Sequence, residues 1–206
     1  MALTLNGTTN TIAGLAVGGV PDGTIDTDAL AANAVTAAKR GTGAILQVVN
    51  TTEGESKTIT CSSAWVDSTL TCAITPAATS SKILLSMSGT GEGNAANQEH
   101  FGYRIKRVIS GGATSYLVGD TAGGRTLLTG LTGDLSDDSG NSASSFSISN
   151  YLDSPSTTSA VTYTVQFTYQ NAAAAGTFYL NREVTDTDAS ANSRYISWIT
   201  LMEVAG

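Results

Sequence analysis

One histidine, His100, stands in this 206-residue chain, so any imidazole chemistry must run through it. A Ser-His-Asp hydrolase would bring that ring to an activated serine, yet the G-x-S-x-G elbow that exposes such a serine is missing. A lone histidine also removes a multi-histidine metal site. Oxygen ligands are denser at Asp134, Asp137, Asp138 and Asn141, which could in principle surround Ca²⁺, but the spacing is not that of an EF-hand, and a solvated loop is expected. Carboxylate pairs of the glycosidase type could be drawn from Glu53, Glu55, Glu92 or Glu99, and nothing singles out two of them. The run Gly89-Thr90-Gly91-Glu92-Gly93 precedes polar residues without a helix signal, so it reads as a loop rather than a phosphate cradle. No catalytic residue, no metal and no cofactor is expected, and the chain does not read as an enzyme.

Cys61 and Cys72 are equidistant from the Val66-Asp67 bond, so a symmetric hairpin centred there would set them opposite each other, about 4.5–5.5 Å apart at Cβ. Pairing is therefore left open. Two small core side chains are the better expectation, because the start of the chain shows no cationic region before an apolar run, and a leaderless protein stays in a reducing compartment until release.

The elements that would carry any site follow from composition. Charged residues make up only 13% of the chain, while half of it is Ala, Gly, Ser or Thr and apolar residues reach 41%, which describes a hydroxyl-rich surface around a real core. A net charge of −7, with ten scattered Lys and Arg, argues against nucleic acid as a partner. No run of about 18 apolar residues exists, so no membrane insertion is expected.

Every tryptophan, tyrosine and phenylalanine lies at or after Trp65, which divides the chain. Residues 1–24, rich in glycine and without sustained period, read as an extended arm that orders against a partner. Residues 25–42 hold a short helix, Asp26 to Arg40: Asp26 or Thr27 caps it, Leu30, Ala34, Ala37 and Ala38 form a stripe joined by Val35, and Gly41 ends it. A helix of about fifteen residues is marginal alone, so its stripe must dock, on copies of itself or on its own domain.

From residue 43 onward period two dominates. Val161, Tyr163, Val165, Phe167 and Tyr169 alternate with polar residues, and Phe101 to Ile109 turns through Gly111-Gly112 into Ala113–Val118 as a hairpin. Further strands are expected near 44–50, 57–62, 70–75, 82–88, 146–152, 177–181 and 195–204. Short strands between Gly, Ser and Asp clusters indicate a mainly β fold, an antiparallel sandwich resembling a jelly roll, over 43–206. Its last strand is apolar on both faces, with Ile196, Trp198, Met202 and Val204 against Tyr195, Ile199 and Leu201. Such a strand belongs either in the middle of the core or at a subunit interface.

Residues 20–41, VPDGTIDTDALAANAVTAAKRG, resemble a segment recurrent in tail-fibre and adhesin proteins of tailed bacteriophages, including those of cyanobacteria and marine bacteria. The preceding TTNTIAGLAVGG is similar to the lead-in of that group, and TPAATSSKILLSMSGTG at 75–91 and YISWITLMEVAG at 195–206 resemble, more loosely, the first and last parts of its C-terminal β-domain. The resemblance covers about a third of the chain. It implies a homotrimer located in the virion, with an arm from Met1 to about Val20 bound to other virion proteins and a neck in which Ile25, Leu30 and Val35 meet around a threefold axis. Trp198, Ile199 and Leu201 would then lie at the trimer interface or in the core strand, and host-surface polysaccharide or protein would be the outer partner. The neck unit occurs once, at Asn33 to Lys39, which implies a short fibre. The competing reading is a structural protein that decorates or cements capsid, collar or tail without binding a receptor.

Overall fold

Alternation in the sequence becomes strand throughout the C-terminal part of the chain. The computed structural model describes residues 4–6, 8, 11–13, 35, 39–94, 100–121, 123–132, 143–170 and 175–206, and the chain divides into two units, Met1–Arg40 and Gly41–Gly206. In the first, β1 (Thr4–Asn6) pairs antiparallel with β2 (Thr11–Ala13), a small ribbon inside the segment expected to be extended. The expected helix falls on residues outside those described, apart from Val35, an exposed bend residue, and Lys39 and Arg40 at its end. Ile25 and Leu30 also lie outside the described residues.

The second unit is an antiparallel β-sandwich. One sheet holds β3 (Ile45–Glu53), β4 (Lys57–Cys61), β6 (Lys82–Asn94), β10 (Ser144–Asp153), β12 (Gly176–Leu180) and β13 (Ser197–Val204). The other holds β5 (Val66–Ile74), β7 (Phe101–Ile109), β8 (Thr114–Leu117), β9 (Gly130–Leu131) and β11 (Val161–Tyr169). The predicted hairpin forms as β7–β8, with Gly111 at φ +69°, a turn conformation that costs a residue with a side chain far more than glycine.

Register explains the layout of the first sheet. Gly91 of β6 pairs with Ser144 of β10 on one edge and with Leu180 of β12 on the other, while β13 takes residues 82–88. Thus β12 and β13 share one edge of β6, end to end, and β4 and β3 flank them in the same way. Residues 181–196 are an excursion from this column of strands.

Asn181 holds the point of departure. Its backbone adopts φ +64°, its Nδ2 donates to Glu53 O and Glu55 O at 2.7 and 3.0 Å, and its Oδ1 accepts the Ser197 hydroxyl at 2.6 Å. An asparagine tolerates the left-handed conformation better than most residues and here satisfies three neighbouring polar groups.

The core is aromatic where the sheets meet. Phe146 and Phe178 from the first sheet pack on Phe101, Tyr103 and Phe167 of the second, with Phe167 and Phe178 stacked at 4.5 Å and Phe146 edge-on to Phe167 at 5.3 Å. Room for these rings comes from β6. A Cβ on Gly89 would collide with the Phe146 ring opposite it, so the Gly89–Gly93 run expected to be a loop is instead strand, its glycines leaving space for aromatic neighbours. An ion pair also ties the two layers: Arg107 Nη1 lies 2.5 Å from Asp153 Oδ1, and the buried Tyr163 hydroxyl donates to Asp153 Oδ2 at 2.6 Å. Burial, followed by this contact with a carboxylate, pushes the Tyr163 phenol far above its ordinary range.

Candidate interaction surfaces

A two-sheet sandwich requires one apolar face per sheet. The first sheet also carries an apolar row on its outward side. In β13 the inward residues Ile199 and Leu201 are fully buried, and Glu203 is buried with them, accepting Gln47 Nε2 at 2.6 Å and the Ala77 amide at 2.7 Å. Burial raises the Glu203 pKa, but the nearby Ser81 hydroxyl and the hydrogen bonds from Gln47 and Ala77 outweigh it and hold the carboxyl below its ordinary value. On the outward side lie Trp198, Met202 and Val204. Leu152, Leu84, Met202 and Val48 are successive register partners across β10, β6, β13 and β3, so one apolar row crosses the whole outward face. Val48 and Leu152, at its two ends, are 56% and 46% exposed, and exposed Ile45, paired with Val204, lies on its other side. The next row is polar and uncharged, Ser86, Thr200 and Asn50, with Asn50 Nδ2 donating to Thr200 Oγ1 at 2.7 Å.

The excursion from 181 to 196 lies over one end of that sheet and is fastened by carboxylates. Buried Glu92 accepts the Val184 amide at 2.7 Å, and buried Glu183 accepts the Tyr195 hydroxyl at 2.7 Å and the Ser193 amide at 3.3 Å. Arg182 stacks on Tyr179 at 3.9 Å, and Arg194 pairs with Asp186 at the rim of a shallow depression lined also by Thr187, Asp188 and Asn192. These contacts order a loop.

The outward face of the second sheet is polar. Arg104 on β7 is flanked by the Trp65 ring at 4.1 Å and the Tyr116 ring at 3.6 Å, the first preceding β5 and the second on β8. Its Nε donates to Gln166 Oε1 at 2.7 Å, Gln166 Nε2 donates to Asp67 Oδ1 at 2.6 Å, and Lys106 pairs with Asp67 Oδ2. Burial draws the Arg104 pKa down against the opposing influence of Tyr116 and Asp67. For Asp67, burial acts upward and is outweighed by Lys106 and Gln166, which leave its carboxyl below the ordinary value.

The residues singled out in the sequence scatter. His100 is exposed, its carbonyl accepting the Gln170 amide. Asp134, Asp137, Asp138, Asn141 and Glu99 lie outside the described residues, and among those described no group of three or more His, Cys, Asp or Glu could hold a metal ion. Glu53 and Glu55 lie beside Lys57, whereas Glu92 is under the excursion. Cys61 and Cys72 are free and buried on different sheets, because β4 and β5 part company instead of forming a hairpin, and burial pushes the Cys61 thiol up to about 12. Of Trp198, Ile199 and Leu201, the last two belong to the core and only Trp198 faces outward. The Arg104 cluster escaped sequence reasoning: Arg104 and Lys106 are legible as the polar side of a strand, but Trp65 and Tyr116 reach them only through pairing across the sheet. Among the described residues, no helix is long and apolar enough to cross a membrane.

No protein-family model matches the chain, and no curated protein does. Among solved structures, a chain from the structure of infectious bursal disease virus strain Gx is similar at a TM-score of 0.36 and 10% identity, over 77% of this chain. The match spans 37% of that viral chain.

Proposed function

We propose that this protein is a non-enzymatic structural component of a tailed-phage virion, a short homotrimeric fibre whose C-terminal sandwich contacts the host surface. The observation that carries the reading is the exposed apolar row on the outward side of the first sheet. Exposed Val48, Leu152 and Ile45, with Leu84 and Met202 between the first two, form a surface that water alone is a poor neighbour for, and other copies of the chain would cover it. The number three, the virion and the attachment role come from the resemblance of residues 20–41, where Ile25, Leu30 and Val35 would meet at the axis and the segment before them would bind the particle.

A low-charge, hydroxyl-rich sandwich fits an exterior protein, and several weak contacts on one trimer would add through effective concentration. Light scattering on the full chain tests the assembly, with a trimer expected and a monomer at high micromolar concentration sinking it. Competition with phage for host cells then separates attachment from decoration. A trimer that neither adsorbs nor competes would be a cement protein of capsid, collar or tail.

A further inference from the structure

We propose that the outward face of the second sheet around Arg104 is a binding site for a carboxylate-bearing saccharide, with the guanidinium gripping the carboxylate and the Trp65 and Tyr116 rings receiving the sugar. The proposal names a ligand class and site for the host-contacting sandwich and in that sense rests on the function proposed above.

Preorganisation is the first argument. Two rings, at 4.1 and 3.6 Å, and the Gln166 amide, at 2.7 Å, fix the guanidinium plane before any ligand arrives, and Gln166 is itself 7% exposed and held by Asp67. A flexible arginine loses rotamer entropy on binding; this one has lost it on folding. With Nε committed to Gln166, the Nη1/Nη2 end holds the remaining donors and meets the Tyr116 hydroxyl, a neutral acceptor that the two oxygens of a carboxylate would replace with a charge-assisted, two-pronged contact.

Charge supplies the second argument. The chain carries −7 overall, so an anion needs a local cation to approach it, and Arg104 and Lys106 against Asp67 leave one net positive charge on this face. That balance suits a monoanion better than a phosphate. Exposed Tyr116 and half-buried Trp65 offer apolar ring surface for sugar C–H groups, and half-exposed Asp67 has acceptor capacity for hydroxyls.

The test is calorimetric titration of the full chain with tetragalacturonate, with carboxyl-reduced tetragalacturonate and dextran sulfate as controls. Saturable binding is expected for the acid alone. Arg104→Lys, which keeps the charge and loses the fork, should weaken binding at least tenfold, and Tyr116→Leu at an exposed position should weaken it severalfold with the melting temperature nearly unchanged. No binding by the full chain, equal binding of the reduced sugar or of dextran sulfate, or unaltered affinity in both variants would overturn the proposal. Light scattering on the same samples reads assembly separately. A trimer that ignores the acid defeats this site alone, whereas a monomer that binds it defeats only the trimer.

Discussion

Glu203 shows how a single buried carboxylate makes the stability of the fold depend on pH. It is 1% exposed, on the inward face of a central strand, and survives there as a carboxylate because Gln47 and the Ala77 amide donate to it. Its pKa in the folded chain lies below the ordinary value, so its contribution is fully present above about pH 4.5 and is lost as pH falls through the lower folded value. Acid unfolding of Glu203→Gln should therefore be less steep than that of the parent below about pH 4.5, and identical acid limbs in thermal melts would show that another group titrates. Asp153 makes a different prediction. Asp153→Asn keeps the shape but leaves Arg107 partly buried without its counter-charge and Tyr163 without its carboxylate acceptor, a loss of about 3–5 kcal/mol on the scale of broken buried pairs. Chemical denaturation reads it directly, and a change under about 1 kcal/mol would mean that solvent already screens the pair.

Among elements, β6 organises the first sheet, since it pairs with β10, β12 and β13 at once. Its apolar half, residues 82–88, was legible from alternation. Its glycine half was not, because a strand whose side chains are absent has no period to read, and the neighbours that exclude a Cβ, Phe146 for Gly89 and Phe178 with the Tyr179 carbonyl for Gly91, are more than fifty residues away. Cys61 and Cys72 are the small core side chains that were expected, whereas the symmetric hairpin that would have set them opposite each other does not form, because β4 and β5 join opposite sheets. Where partners were local, as in the Gly111 turn between β7 and β8, or where one strand showed its own pattern, as in β11, sequence and structure agree. The candidate surfaces lie at the other extreme, because a row such as Leu152, Leu84, Met202 and Val48 exists only once four strands are in register. Gly89→Val tests the steric account of β6. Its side chain would have to displace the Phe146 ring, an overpacking cost of about 1–3 kcal/mol, and the paired variant Gly89→Val with Phe146→Ala should recover part of it. Strict additivity of the two changes would refute the contact.

For the whole molecule the proposed trimer requires a seam between copies of the chain, and two variants separate the candidate seams. Val48 and Leu152 are about half exposed at opposite ends of the outward apolar row, so Val48→Lys with Leu152→Lys should leave the sandwich folded while placing charge wherever a neighbouring copy would sit. Each apolar side chain buried in such a contact contributes on the order of 1–3 kcal/mol, so the double variant should weaken association on the order of a hundredfold or more. Leu30→Asp acts instead on the expected neck, where like charges brought together at an axis repel in a low dielectric. Sedimentation of both variants over a concentration series distinguishes the outcomes. If only the lysine variant dissociates, the sheet face is the seam and the stripe of residues 25–42 docks elsewhere. If only Leu30→Asp dissociates, the neck holds the trimer and the apolar row of the sandwich must be covered by a different virion protein. Dissociation of both means that the greasy sheet and the neck close the same assembly, and undiminished assembly of both removes the physical basis for a fibre built around these residues.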